Sequence, residues 1–306
     1  MDEKRKLSIL FIPSFSRSVK NRVRILTGSY RIWIEDLSKY FLDLGINCKI
    51  GFIEDIPNFD VIIFGKHVSG EFSKEMSLAF KLGKKTGFIN PPGYHSYRSD
   101  FIIAGSLEEK DSLSSNKNVF IYPLIEKMFE GKELKKHEHK DKLRLCFHGH
   151  FPHLVKFDPN LTWAINEFSK EQDVELVIIH GNPEYNWTVG RPDVKIIFKT
   201  WQINNVYDVI ASCDIGLCPN AIMLPQKPLR SNKDLGFHDT DFLIRFKNKS
   251  NAGRSFVFHQ IGLPVIADIT PSNFHIMGDP NCGHIVMSKK GYLKALRELA
   301  CKDHRN

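Results

Sequence analysis

Short apolar runs alternate with amphipathic helical periods along this chain, and the alternation starts twice. In the first half the runs are Leu7–Ile12, Lys49–Ile53, Val61–Phe64, Gly87–Ile89, Phe101–Ala104 and Val119–Tyr122. In the second half they are Leu143–Phe147, Val174–His180, Val194–Phe198, Asp214–Cys218, Pro264–Ala267 and His284–Met287. Near-continuous β-branched and aromatic runs of this length mark strands buried on both faces, the condition of a parallel sheet. Helical periods lie between them. Ile34, Leu37, Phe41 and Leu44 share a face before Gly45, and Phe72, Met76, Ala79 and Phe80 share one before Gly83. Later periods predict helices over Leu161–Phe168, Val206–Cys213, Asn251–Ile261 and Tyr292–Ala300. Strand and helix in alternation predict an α/β chain of two Rossmann-like, doubly wound domains facing a cleft.

A length of 306 residues suits two domains. The halves divide as 1–125 and 143–306, and the charged stretch 126–142, which has no apolar stripe along its length, reads as a solvated linker. The formal net charge of +8 suits nucleotides, nucleic acid or an anionic membrane face; a basic, Lys-rich, soluble protein reads the same way. The basic residues scatter over both halves with no recognition motif, so nucleic acid is not an expected partner. The six cysteines (Cys48, Cys146, Cys213, Cys218, Cys282, Cys301) form no CxxC pair, and several sit inside apolar runs, as buried free thiols do. Leu7–Ile12 is too short for the apolar core of a signal peptide, and no run is long enough to cross a bilayer. The expected location is the cytoplasm, with contact at the inner face of the membrane.

In open α/β sheets ligands bind beyond the carboxyl ends of the strands, so the residues after each run are the candidates. The run Leu143–Phe147 leads into His148-Gly149-His150. Backbone N–H groups and imidazoles there suit phosphate, and alternate histidines suit two metal ligands; no matching Cys, Asp or Glu cluster accompanies them, and no metal is expected. A third reading has these histidines filling a loop. Val61–Phe64 ends at Gly65-Lys66-His67, whose cation and imidazole suit anion binding, acceptor orientation or acid–base work, or a structural hydrogen bond. The basic, Ser-rich stretch 14–24, with Arg17, follows the first run; it is neither a dinucleotide fingerprint nor a P-loop, and it suits an anionic acceptor or a solvated loop. Pro-Pro-Gly at 91–93 sets a turn before Tyr94, His95 and Tyr97, which suit a sugar face or ordinary loop packing. The densest candidate runs from Arg245 through Lys249, Ser250 and Asn251 to Arg254, at the start of a helix that stops at Gly262 and is followed at once by a strand. Unpaired N–H groups at a helix start, with cations beside them, form a seat for phosphate.

At this point the second half resembles the nucleotide-binding domain of GT-B-fold glycosyltransferases, in particular the large family of retaining, bacterial-type transferases. The likeness runs through Leu143–Gly149, Val174–Gly181, Val206–Asn220 and Asn251–Ala267, the last with its Gly-x-Pro-Val-Ile strand. The first half is similar only through Phe59–Lys66 and the basic loop after the first run. The resemblance implies GT-B architecture, with an acceptor domain over 1–125 and a nucleotide-sugar donor domain over 143–306. It implies that Arg254 takes the place of the donor-phosphate lysine, that Gly149 belongs to the glycine loop, with His150 beside it, and that His67 lies near the histidine lining the donor sugar. One position departs: the glutamate that holds the nucleotide ribose falls at Val257, and the paired-glutamate motif is absent. Arg245, Lys249, Ser250 and Asn251 then hold the donor by another arrangement, and Arg17, Lys66 and His95 face the acceptor. The implied activity moves a sugar from a nucleotide-activated donor to a glycan or lipid-linked acceptor in surface polysaccharide or glycoconjugate synthesis, with the nucleotide-sugar as co-substrate and no cofactor. The alternatives are an inactive GT-B binding or assembly protein and a nucleotide-sugar epimerase.

Overall fold

A computed structural model describes residues 7–13, 28–65, 72–90, 99–106, 109–110, 118–149, 154, 159–181, 190–219 and 252–305. Among these, residues up to Lys127 form one compact unit and residues from Met128 onward form another.

The first unit is a six-stranded sheet of β1 (Ser8–Ile12), β2 (Asn47–Ile50), β3 (Val61–Phe64), β4 (Lys85–Ile89), β5 (Phe101–Ala104) and β6 (Asn118–Ile121). Every pairing is parallel and the order is β2-β1-β3-β4-β5-β6. Alternate residues of β1 supply the two faces: Ile9 and Phe11 pack with Trp33, Ile63 and Ile103, whereas Leu10 and Ile12 pack with Ile62, Phe64 and Phe88. Helix α1 (Leu37–Asp43) continues a π-helical turn, Arg31–Asp36, on the first face. Helix α2 (Ser73–Lys81) covers the second.

The second unit contains β7 (Lys142–His148), β8 (Asp173–His180), β9 (Lys195–Thr200), β10 (Ile215–Cys218), β11 (Val265–Asp268) and β12 (Gly283–Val286). All are parallel, in the order β12-β11-β10-β7-β8-β9. Counted within the unit this is 6-5-4-1-2-3, the strand order of the dinucleotide-binding fold, with its switch point between β7 and β10. Its helices are α3 (Pro159–Phe168), α4 (Val206–Ala211), α5 (Gly253–Ile261), α6 (Pro271–Ile276) and α7 (Lys289–Ala300). Leu143, Leu145 and Phe147 of β7 face a layer closed by α3 and α7, and Cys146 faces a layer closed by α4 and α5. Each such side chain contributes about 1.5–3 kcal/mol by leaving water.

Two predicted faces need correction. Leu44 is exposed, because it stands past the last residue of α1 and the π turn shifts the helical register ahead of it. Phe80 is exposed as well: at 3.6 residues per turn it stands roughly 80° around α2 from Phe72, off the stripe that Phe72, Met76 and Ala79 bury.

The solvated linker over 126–142 is also corrected. Glu126 is buried against Arg31 in the first unit, Oε1 to Nη2 2.6 Å, and Phe129 is buried in the second, so two residues separate the anchors. Beyond Phe129 the segment, which has no regular secondary structure before β7, is stitched down. Lys135 N donates to Ile261 O at 2.8 Å, Tyr207 Oη donates to Glu133 O at 2.6 Å, and Arg305 Nη2 donates to Glu138 O at 2.9 Å. Gly262 ends α5 in the left-handed conformation (φ 87°), and a Cβ there would lie 2.9 Å from Lys135 N. The charges of the segment have a distant partner, Asp214, which is 1 % exposed. Its carboxylate accepts from Lys140 Nζ at 2.8 Å, Lys135 Nζ at 3.1 Å and Arg144 N at 2.9 Å. Burial opposes the charge of Asp214, yet the bonds from Lys140 and Arg144 N and the charge of Lys135 outweigh it and hold the carboxyl below its ordinary range.

Asp214→Ala would leave a buried lysine and a backbone N–H without their acceptor. The expected cost is about 3–5 kcal/mol, read as a lower urea midpoint with an unchanged slope, and Asp214→Asn should cost less.

Candidate functional site

The carboxyl ends of β7 and β10 meet at the switch point of the second sheet, and α5 begins beside them. Strand β7 ends at His148, and Gly149 turns the chain with φ 113°, a conformation that side-chain-bearing residues rarely adopt. A Cβ on Gly149 would stand 3.1 Å from Cδ of Arg254, so this glycine leaves room for the arginine to lie along the turn. Arg254 Cζ stands 5.5 Å from the ring centroid of Phe147, and its charge is felt by Cys218 at the end of β10. Burial pushes the guanidinium down from its ordinary range; that range is so high that it stays charged. Nη1 is buried and has no hydrogen-bond partner among the described residues. The first residue of α5 follows Ala252, whose side chain makes no capping bond, so the first N–H groups of the helix have no side-chain cap from that position.

Around this cation the polar groups are paired. His148 is 8 % exposed; its Nε2 lies 3.3 Å from Arg254 O and its ring meets Phe258 edge-on at 4.8 Å. Burial, then the Arg254 charge, push His148 down to about 4, against the hydrogen bond to Arg254 O. Ser255 Oγ donates to Asn273 Oδ1 at 2.8 Å, and Asn273 Nδ2 donates to Asp268 O at 3.2 Å. The arrangement offers one thing chemically: a buried, permanently charged donor at a helix start, whose natural complement is an oxyanion.

Of the predicted site residues, the structure brings Gly149 and Arg254 into contact. His67, His150, Arg245, Lys249, Ser250, Asn251, Arg17, Lys66 and His95 lie outside the described residues. The chain leading to two of them is described: Gly65 N donates to Ile12 O at 2.9 Å, which joins the ends of β3 and β1 at the switch point of the first sheet. Val257 is 7 % exposed and packs in the apolar layer beneath α5. Sequence reasoning named His148 among the histidines suited to phosphate, and the structure turns its ring to the Arg254 carbonyl instead. It did not single out Phe147, Ser255 or Asn273, and the Ser255–Asn273 pairing left no signal. Among the described residues no group of three or more His, Cys, Asp or Glu is placed to hold a metal ion, and no helix is long and apolar enough to cross a membrane.

No protein-family model matches the chain, and no curated protein matches it by sequence. Solved structures do. WaaG, a glycosyltransferase involved in lipopolysaccharide biosynthesis, superposes with a TM-score of 0.57 at 12 % identity, over 97 % of this chain and 92 % of its own. Anabaena Alr3699/HepE in complex with UDP and glucose gives 0.54 at 8 % identity, over 95 % and 88 %. A glycosyltransferase from Rickettsia africae ESF-5 gives 0.52 at 12 % identity, over 98 % and 92 %. The chain has a GT-B glycosyltransferase-like fold, α/β with two Rossmann-like domains.

Two predictions follow from the buried groups here. Gly149→Ala puts a Cβ against Arg254 in a conformation that alanine adopts at a cost of about 1–3 kcal/mol; the guanidinium is displaced, and phosphate or pyrophosphate binding weakens in calorimetry. Burial also pushes His259 down to about 4, like His148. Both fold in the neutral form, so their stabilisation is complete above the ordinary histidine value of about 6.5 and declines as pH falls from there towards 4. His259→Gln should flatten the fall in urea midpoint between pH 6.5 and 4.5 by its own share, since His137 and His284 are pushed the same way.

Proposed function

We propose that this protein is a glycosyltransferase of GT-B type that moves a sugar from a nucleotide-activated donor to a glycan or lipid-linked acceptor. The observation that carries the reading is Arg254, a guanidinium whose buried Nη1 has no hydrogen-bond partner among the described residues, at the start of α5 and the switch point of a Rossmann-type sheet. In transfer, the bond between the sugar's anomeric carbon and the donor phosphate breaks, and negative charge gathers on the departing diphosphate. Arg254 and the first N–H groups of α5 would bind that charge as it forms, which lowers the barrier because the donors are fixed beforehand. Gly149 gives the phosphates access, and His150, Arg245, Lys249, Ser250 and Asn251 complete the donor seat. His67 faces the donor sugar and supplies acid–base help, while Arg17, Lys66 and His95 face the acceptor, which gives up a proton as its hydroxyl oxygen bonds the sugar. No metal or cofactor takes part, since the arginine and amides do the work of charge stabilisation. HepE is described with UDP and glucose, and WaaG is involved in lipopolysaccharide biosynthesis; the likeness of fold supports a nucleotide-sugar donor and a surface-polysaccharide setting.

Val257 favours a second reading. With an apolar residue where a ribose-holding carboxylate would stand, the protein would bind nucleotide and turn nothing over, as a GT-B binding or assembly protein.

A thermal-shift series with UDP, GDP, dTDP, CMP and ADP tests both. The transferase reading expects one nucleotide to raise the melting temperature of wild type, as mass action requires of a ligand that binds only the native state. Arg254→Ala should abolish the shift, and Arg254→Lys should retain part of it. Slow release of that nucleotide from its sugar conjugate then marks the transferase. Binding with no release marks the second reading, and a wild type stabilised by none of the five overturns the first.

A further inference from the structure

The first turn of α5 is fastened from two directions by side chains that do not themselves reach the buried guanidinium nitrogen. From the end of β7, the His148 ring approaches Arg254 O at 3.3 Å. A carbonyl oxygen only accepts, so a hydrogen bond here requires Nε2 to carry the proton, and burial keeps the ring neutral. The ring cannot swing away, because it is buried and set edge-on to Phe258 with 77° between the ring planes. From beyond β11, Asn273 Oδ1 accepts from Ser255 Oγ at 2.8 Å, its Nδ2 donates to Asp268 O at 3.2 Å, and its backbone N–H donates to Thr270 Oγ1 at 3.1 Å. Ser255 is 1 % exposed, so the fastening is dry. Arg254 lies between the two fasteners in sequence and in space. Its side chain leaves the backbone between Gly149 and the Phe147 ring, which permits little lateral play.

We propose that His148 is a positioning residue for the phosphate seat: its Nε2–H, donated to the Arg254 carbonyl, sets the first turn of α5 on the end of β7 and so aims the guanidinium. The inference rests on the phosphate-binding reading of that site. Leucine at 148 would keep the apolar contact with Phe258 and lose the donor. Glutamine would return an N–H donor to the same reach. A role confined to packing predicts that both substitutions shift stability and neither shifts affinity.

The test is isothermal calorimetry with pyrophosphate, and with whichever nucleotide stabilises wild type, on full-length wild type, His148→Leu, His148→Gln, Arg254→Ala and Asn273→Ala. The expected result is a roughly tenfold rise in Kd for His148→Leu, the size of one lost hydrogen bond. His148→Gln should recover most of it, and Asn273→Ala, which releases the other fastener, should also weaken binding. In turnover assays the loss should fall on KM for the donor more than on kcat. Melting temperatures without ligand separate folding from affinity, and Kd is referred to the folded fraction. Equal Kd values for wild type and His148→Leu, with Arg254→Ala inactive in binding, overturn this inference alone. Equal rises in Kd for His148→Leu and His148→Gln also overturn it, because the returned N–H donor then makes no difference to the seat. Wild type that binds neither pyrophosphate nor any nucleotide overturns the phosphate-site reading and the inference with it.

Discussion

Parallel hydrogen bonding governs the rest of this molecule. In each unit six strands run the same way, so every strand must be followed by a crossover, and every crossover begins at the same edge of the sheet. Residues that follow strands are thereby gathered although they lie far apart in sequence. Strand order adds a second consequence. The order reverses where β7 and β10 sit side by side, the place where sheets of this kind bind ligands. Helix α5 begins beside that point and brings Arg254 to Gly149 across a separation of more than a hundred residues.

Placing a guanidinium there is unfavourable in isolation. Arg254 keeps part of its surface exposed, but its buried Nη1 has no partner among the described residues, and a buried donor left unsatisfied costs about 1–3 kcal/mol. The protein tolerates it because the surrounding groups are already satisfied: His148 is bonded to the Arg254 carbonyl, Ser255 to Asn273, and the aromatic ring of Phe147 lies near the cation. Strain in the turn at Gly149 is avoided by the absence of a side chain. An unsatisfied donor in an otherwise satisfied shell is the expected state of an anion site before its ligand arrives, since the ligand supplies the missing acceptors.

The strands were legible in the sequence because parallel strands buried on both faces leave continuous apolar runs, and all twelve runs correspond to strands within a few residues, whereas the short helix α6 was not foreseen. Gly262 after α5 was equally plain, since a left-handed stop favours glycine. The segment 128–142 was not legible. Its charges read as solvated because the partner of Lys135 and Lys140 is Asp214, more than seventy residues on, and a charge pattern does not carry its distant partner with it. The exposed Leu44 shows the same limit on a local scale, since a π turn changes the helical count without changing the composition. At the site, Arg254 and Gly149 were readable as a cation at a helix start and a glycine after a strand. The Ser255–Asn273 pair was not, because it joins two helices through small polar residues that are common everywhere.

Position 257 shows how the proposed donor seat divides its work. It stands three residues on from Arg254, about 60° away around the helix and one turn along the same face, and α5 sinks Val257 and Phe258 into the apolar layer while Arg254, in the first turn, reaches the carboxyl edge of the sheet. Burying those two residues is what holds α5 on β10 and β11, so the face available to a ligand is confined to the first turn. A helix start and a guanidinium read negative charge and its geometry; they do not read a base or a sugar. Discrimination between donors in the proposed seat would then fall to groups off α5. The proposed phosphate seat does not need a ribose contact from the helix, because positions 254 and 257 belong to successive turns of it.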